Sequence, residues 1–149
     1  METKPTIIAG PCVIESFELL DEIAGVIAAI NRRHDTDIIF KASFDKANRT
    51  SLESYRGVGL EEGLNMLAEI KARHGLRITT DIHEAWQAEV VAPVIDIIQI
   101  PALLCRQTDI IVAAARQHTI VNIKKGQFLS GEDMRHAYNK ALKSGAREV

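Results

Sequence analysis

The chain has 149 residues, of which 46% are hydrophobic and 26% charged, and its formal net charge is -2. This is the composition of an ordinary globular protein, and we expect residues 1–149 to form a single domain. Because no broad basic surface is indicated, we expect no nucleic-acid partner and no membrane partner. Cys12 and Cys105 are too few for a disulfide framework, which indicates reduced thiols in a cytoplasmic protein.

Short apolar runs alternate with stretches of helical period along the whole chain. This alternation predicts an α/β fold with a parallel sheet. The predicted strands are residues 6–9, 37–40, 77–80, 94–100 and 120–123. If each is followed by its helix, the chain contains five strand-helix units, and Val149 lies where a sixth strand would begin. Five units are too few to close an eight-stranded barrel, so the sheet is either open and doubly wound or part of a longer barrel.

The predicted helices follow from apolar spacing and from end signals. Ser16 caps the first helix and Gly75 stops the second. A short helix is expected over residues 84–91, and Ser130 opens the last helix with Asp133 in the capping-box position. The expected apolar faces consist of Leu19, Leu20, Ile23, Ile27 and Ile30, then Leu60, Leu64, Leu67 and Ile70, then Ile110, Ile111, Ala114 and Ala115.

Residues 41–51 are the most informative segment, because three cations, a carboxylate, an amide and three hydroxyls follow directly after an apolar strand. In α/β proteins, the loops after the strands carry the chemistry. The segment therefore predicts a site for a small phosphorylated anion. A solvated loop with ordinary surface charge is the alternative.

Polar residues also follow the other predicted strands, in residues 10–16, 80–84, 99–102 and 124–127. Such a set suits a site at the mouth of a barrel. Of the paired lysines, we expect Lys124 to point inward and Lys125 outward.

Three of these residues have a structural alternative. Cys12 is either a small buried hydrophobe or a metal thiolate, and Cys105 is expected to be inert. If the third strand continues past Asp81, we expect Asp81 and His83 not to face the same way. A structural role for His83 is then an alternative to a catalytic one.

Six segments together resemble the 3-deoxy-D-manno-octulosonate 8-phosphate synthases. They are GPCVIES at 10–16, KASFDKANRTS at 41–51, YRGVGLEEG at 55–63, TTDIHE at 79–84, IQIPALLCRQTD at 98–109 and NIKKGQF at 122–128. The related 3-deoxyheptulosonate synthases share the Gly-Pro-Cys opening but have a Lys-Pro-Arg-Thr pattern where this chain has Lys46-Ala47-Asn48-Arg49-Thr50. Thr50 replaces a serine that is usual in the resembled family.

The resemblance implies a (β/α)8 TIM barrel, here about five of its eight units, and a transferase of lipopolysaccharide biosynthesis in the cytoplasm. Such an enzyme condenses phosphoenolpyruvate with D-arabinose 5-phosphate and water and releases inorganic phosphate. It also implies a homo-oligomer, a tetramer in the family. A heptulosonate synthase that uses erythrose 4-phosphate is an alternative, as is a non-catalytic truncated barrel that binds phosphate ligands or assembles with a partner.

The resemblance also assigns roles to residues. Lys41, Lys46, Gln99, the backbone near Ala102 and Lys124 would hold phosphoenolpyruvate, with Ser43 among the substrate-binding groups. Asn48, Arg49, Thr50 and Ser51 would hold the sugar phosphate, and Arg49 would reach a neighbouring subunit. Asp81 and His83 would line the sugar and the reaction centre, so that Lys46, Asp81, His83 and Lys124 form the catalytic set. Cys12 would be a ligand of a divalent metal ion, Zn, Fe or Mn.

By the same resemblance the chain corresponds to the N-terminal part of the barrel. A further phosphate-binding arginine and the histidine, glutamate and aspartate of the metal site would lie beyond residue 149. The metal site would then be incomplete in this chain. We therefore expect the 149-residue polypeptide to be inactive when it is tested alone.

Overall fold

The computed structural model describes residues 6–117 and 119–149, in which five α-helices alternate with five β-strands. The chain divides into two compact units, one that ends at Thr79 and one that spans Thr80–Val149. The strands follow the order of the chain in a single sheet. This is the predicted α/β class, with five of the strand-helix units of a (β/α)8 barrel. The assignment of residues 1–149 to a single domain stays a prediction.

The first unit contains two complete strand-helix pairs and the beginning of a third strand. Its elements are β1 (Ile7–Ala9), α1 (Phe17–His34), β2 (Ile38–Lys41), α2 (Leu60–His74) and the start of β3 (Ile78–Asp81). β1 and β2 are parallel, with Ala9 paired to Phe40 at the end of the ladder. β2 and β3 are also parallel, with Lys41 paired to Thr79. The strands are as predicted to within one residue at each end.

Helix α1 begins where the sequence predicts. The Ser16 hydroxyl accepts a hydrogen bond of 3.2 Å from the Leu19 amide and so satisfies one of the first free N–H groups. The buried face consists of Leu20, Ala24, Ile27 and Ala28. The prediction of Ile30 on this face is wrong, since its side chain is 38% exposed. Two alanines lie on the buried face, because small side chains allow close packing.

Helices α1 and α2 are joined by an ionic contact. Asp21 of α1 lies 2.7 Å from His74 Nε2 and accepts a 3.0 Å hydrogen bond from Arg73. The hydrogen bond with His74, assisted by Arg73, lowers the pKa of Asp21. Arg73 also lies over the ring of Phe17, 5.0 Å from its centroid. As predicted, Gly75 ends α2 with a positive φ of 65°.

The second unit continues the alternation. Its elements after β3 are α3 (Gln87–Val91), β4 (Ile97–Ile100), α4 (Thr108–Ala115), β5 (Ile120–Ile123) and α5 (Met134–Lys143). β4 and β5 are parallel, with Gln99 paired to Asn122. β4 is shorter than predicted, because the amides of Val94 and Ile95 bond back to Val91 and keep this segment in a turn.

The last helix begins later than predicted. The Ser130 hydroxyl accepts a 3.1 Å bond from the Asp133 amide and donates one of 2.8 Å to its carboxylate. This second bond lowers the pKa of Asp133. The contact closes a turn over residues 131–133 instead of a helical turn, and α5 starts at Met134. The predicted contact between Ser130 and Asp133 is therefore present, but it lies before the first residue of the helix.

After α5 the chain returns to the sheet. The Glu148 carbonyl accepts a 2.9 Å bond from Val121, and Glu148 forms a parallel bridge with Ile120. Residues near the predicted start of a sixth strand therefore pair with β5. In the described ranges, no helix combines the length and apolar character needed to cross a membrane.

Candidate active site

Two lysines of the predicted phosphate site meet on a single hydroxyl group in the first unit. Lys41 Nζ lies 3.0 Å and Lys46 Nζ 2.9 Å from Ser43 Oγ, and both amino groups donate to it. Ser43 is completely buried, whereas both lysines are partly exposed. We call these three residues the lysine-serine cluster.

The lysine-serine cluster concentrates positive charge. Because both nitrogens lie within 3.0 Å of one oxygen, they are at most about 6 Å apart, where two unit charges repel by roughly 3 kcal/mol at an effective dielectric constant of 20. An anion that contacts both amino groups would be attracted by both charges. The cluster is therefore suited to a phosphate or a carboxylate.

The segment after β1 lies directly against the lysine-serine cluster. The Ser43 amide donates to the Cys12 carbonyl at 3.3 Å, and the Ile14 amide donates to the Ser43 carbonyl at 3.0 Å. Gly10 permits this approach, because a Cβ atom at that position would lie 1.9 Å from the Lys41 carbonyl oxygen. Cys12 itself is exposed, so the alternative of a buried hydrophobe is wrong for this thiol.

The loop after the lysine-serine cluster is closed at its base. Arg56 forms a bidentate ion pair with Asp45 through two hydrogen bonds. Hydrogen bonding to Asp45 raises the pKa of Arg56. The Arg56 carbonyl accepts a 2.6 Å bond from the Lys46 amide. Gly57 then turns the chain with a φ of 124°. Residues 46–55 are thus held as one loop, which we call the arginine loop.

The arginine loop carries the four residues that are predicted to hold the sugar phosphate. Asn48, Arg49, Thr50 and Ser51 are all exposed. Arg49 Nε donates to the Tyr55 carbonyl at 3.2 Å, and the Tyr55 hydroxyl donates to the Ile14 carbonyl at 2.9 Å. The guanidinium group of Arg49 is therefore oriented through one nitrogen, and its two terminal nitrogens donate to none of the described residues.

In the second unit, Asp81 and His83 form a pair. His83 Nε2 lies 3.1 Å from Asp81 Oδ2, and both side chains are largely buried. The expectation that they would not face the same way applied to a strand that continues past Asp81, but β3 ends at Asp81 and the two side chains meet. Gln87 supports the pair, since its side-chain oxygen accepts bonds from the amides of His83 at 2.7 Å and Glu84 at 3.2 Å.

The ends of β4 and β5 bring together the remaining candidates of this unit. Gln99 Oε1 accepts a 3.2 Å bond from Asn122, and Gln99 is nearly buried. Ala102 opens a short 3-10 turn that ends at Leu104, and Gly126 lies close to the Ala102 carbonyl.

The two lysines after β5 differ in their contacts. Lys125 Nζ donates to the carbonyls of Gly126 and Leu129, each at 2.9 Å. Lys124 is exposed, and its amino group donates to none of the described residues. This contrast favours Lys124 as the lysine that remains for a ligand.

No role for Tyr55, Arg56, Gln87 or Asn122 was predicted from the sequence. Tyr55 and Arg56 lie in the quoted YRGVGLEEG segment and Asn122 in NIKKGQF, so the motifs contained them. No sequence signal marks Gln87. Cys105, expected to be inert, is completely buried.

Comparisons with known proteins agree with the sequence motifs. Residues 1–149 match the model of the DAHP synthetase I family. The chain is 60% identical over 141 residues to the 2-dehydro-3-deoxyphosphooctonate aldolase of Helicobacter pylori strain P12. The aligned region covers 95% of this chain and 51% of that protein. It is 57% identical over 138 residues to the Helicobacter hepaticus protein of that name, with 93% and 51% covered. A Fusobacterium nucleatum protein of the same name is 56% identical over 143 residues, with 96% and 51% covered.

These relatives confirm the resemblance inferred from the motifs. The chain spans about half the length of the curated relatives that it matches.

Proposed function

Since the chain belongs to the DAHP synthetase I family, we propose that it supplies substrate-binding groups for the condensation of phosphoenolpyruvate with D-arabinose 5-phosphate and water. The products are 3-deoxy-D-manno-octulosonate 8-phosphate and inorganic phosphate, in lipopolysaccharide biosynthesis. The observation that carries the proposal is the lysine-serine cluster, in which two ammonium groups share one buried hydroxyl. The names of the relatives support the choice of reaction.

In this reaction, C3 of phosphoenolpyruvate bonds to the aldehyde carbon of the sugar. Water adds at C2, and the C2–O bond to the phosphate breaks. We assign Lys41, Lys46 and Ser43 to phosphoenolpyruvate, because cations that neutralise its phosphate and carboxylate stabilise the charge that moves during the reaction. Gln99, the backbone near Ala102 and Lys124 are assigned to the same substrate.

The sugar phosphate is assigned to Asn48, Arg49, Thr50 and Ser51 of the arginine loop. A guanidinium group held through Nε presents a fork that fits phosphate oxygens. Asp81 and His83 are assigned to the sugar aldehyde, where a histidine next to a carboxylate can hold or transfer a proton. Lys46 and Lys124 complete the catalytic set.

The assigned metal ion does not fit this chain by itself. The described residues include no group of three His, Cys, Asp or Glu side chains that could hold a metal ion. From the family resemblance, we propose Cys12 as one ligand of a divalent ion, Zn, Fe or Mn, whose other ligands lie outside the described residues. No step above depends on that ion.

We further propose a cytoplasmic homotetramer. In such an assembly a second subunit would cover Leu52 of the arginine loop, which is 99% exposed. Arg49, three residues away, would then reach the neighbouring subunit.

The test compares this chain alone with an extended chain, in which the second half of the Helicobacter pylori relative follows residue 149. Phosphate release from phosphoenolpyruvate is measured with arabinose 5-phosphate or erythrose 4-phosphate. We expect no release by the chain alone and release by the extended chain with arabinose 5-phosphate. Lys46→Ala should abolish this release, whereas Lys143→Ala, which changes an exposed lysine of α5, should not.

Two results would contradict the proposal. A faster reaction with erythrose 4-phosphate would indicate a heptulosonate synthase. A folded extended chain that binds the sugar phosphate without turnover, while the Helicobacter pylori relative is active, would indicate a binding module.

A further inference from the structure

Tyr55 connects two segments that are far apart in the sequence. Its hydroxyl donates to the carbonyl of Ile14, 41 residues earlier, and its own carbonyl accepts from Arg49 Nε. Ile14 is completely buried and is bonded through its amide to Ser43. Tyr55 therefore ties the arginine loop to a fixed point beside the lysine-serine cluster.

The other contacts of the arginine loop lie at its base or join groups within it, as the Arg49 amide does with the Lys46 carbonyl. The ion pair of Arg56 with Asp45 and the bond from the Lys46 amide to the Arg56 carbonyl join residues 45–46 to residue 56. Neither of these contacts reaches the side chain of Arg49. The orientation of the Arg49 guanidinium group thus depends on where the Tyr55 carbonyl lies, and the Tyr55 hydroxyl holds that residue together with the base contacts of Arg56.

We propose that Tyr55 is a positioning residue that sets Arg49 for the phosphate of the sugar substrate. The inference rests on the proposed function for the identity of the ligand. Tyr55 is half exposed, so its ring adds less burial than a core residue, and its removal should affect the loop more than the fold. The hydroxyl group is the part of Tyr55 that the proposal requires.

The test uses Tyr55→Phe in the extended chain, since phenylalanine retains the ring and removes only the hydroxyl. We expect the KM for arabinose 5-phosphate to rise about three- to tenfold, the effect of losing one hydrogen bond. The KM for phosphoenolpyruvate should change less than twofold. Tyr138→Phe is the matched control, because Tyr138 is also half exposed but lies on α5.

A double-mutant cycle shows whether Tyr55 acts through Arg49. In an Arg49→Ala background, Tyr55→Phe should cause no further rise in the KM for arabinose 5-phosphate. An unchanged KM in the single variant, an equal rise for both substrates, or full additivity with Arg49→Ala would each overturn the inference and leave the proposed function intact.

Failure of the proposed function gives a different result, namely an extended chain without turnover. Amide hydrogen exchange of residues 48–51 then decides the inference. Tyr55→Phe should accelerate exchange in these residues and Tyr138→Phe should not. Equal exchange in the two variants would overturn the positioning role.

Discussion

Gly10 provides a direct test of how the lysine-serine cluster is assembled. A Cβ atom at Gly10 would lie 1.9 Å from the Lys41 carbonyl oxygen and 2.8 Å from its carbon. These are backbone atoms, so no side-chain rotation can relieve the contact. To reach an ordinary separation of 3.4 Å, the two segments must move apart by about 1.5 Å. Gly10→Ala should therefore separate the end of β1 from Lys41.

The cost can be worked out from the neighbouring contacts. Overpacking costs roughly 1–3 kcal/mol. The same displacement strains the bonds that Ser43 makes with Cys12 and Ile14, each with a net contribution of about 1 kcal/mol. We expect Gly10→Ala to lower the free energy of unfolding by about 2–4 kcal/mol, a large share of the roughly 5–15 kcal/mol typical of a domain.

Urea denaturation followed by circular dichroism measures this difference, and an unchanged m-value shows that the same transition is compared. Gly131→Ala is the matched control, because a Cβ atom there would have no neighbour within 4 Å. If Gly10→Ala is as stable as Gly131→Ala to within about 0.5 kcal/mol, the close approach of β1 to Lys41 does not constrain the site.

Three further substitutions test other contacts. Ser43→Ala should raise the dissociation constant for inorganic phosphate about tenfold or more, because both lysines lose their shared acceptor. Calorimetry measures this constant, and an unchanged value would show that the Ser43 hydroxyl does not position the two lysines. Asp21→Asn should lower stability at neutral pH, because the lowered pKa of Asp21 means that its stabilisation is present above its ordinary value of 3.8 and is lost as the pH falls through the folded value. A stability difference from the parent that grows below pH 3.8 would refute this. Gln87→Ala should lower the free energy of unfolding by about 1–3 kcal/mol, since the amide of His83 loses its acceptor, and Gln87→Glu, which retains an oxygen, should lower it less; equal losses in urea titrations would argue against this role.

Most elements could be predicted because they depend on neighbours in the sequence. The cap at Ser16 requires an amide three residues away, and the stop at Gly75 requires only a positive φ. The strands were predicted because short apolar runs rich in β-branched residues favour the β-strand conformation. β4 was predicted too long for the same reason, since Val94 and Ile95 are β-branched but bond back to Val91.

The site could be predicted only in its composition. Lys41, Ser43 and Lys46 lie within six consecutive residues, and their order within a known motif was informative. The hydrogen bond from Tyr55 to Ile14 joins residues 41 positions apart. The periodicity of apolar residues does not predict such a contact between loops. The role of Gln87 is equally hidden, because a buried glutamine at the start of a helix resembles a surface residue in the sequence.

The candidate site residues of the first unit are coupled to one another through Ser43. Its hydroxyl receives both lysines, its amide donates to the Cys12 carbonyl, and its carbonyl accepts from Ile14. One buried residue, Ser43, is therefore bonded both to the segment that carries Cys12 and to the two lysines. A displacement of either would be transmitted to the other through the backbone of Ser43, since a buried residue with neighbours on every side cannot move alone. Under the proposed function, the first unit then positions its metal ligand and its phosphate-binding cations together.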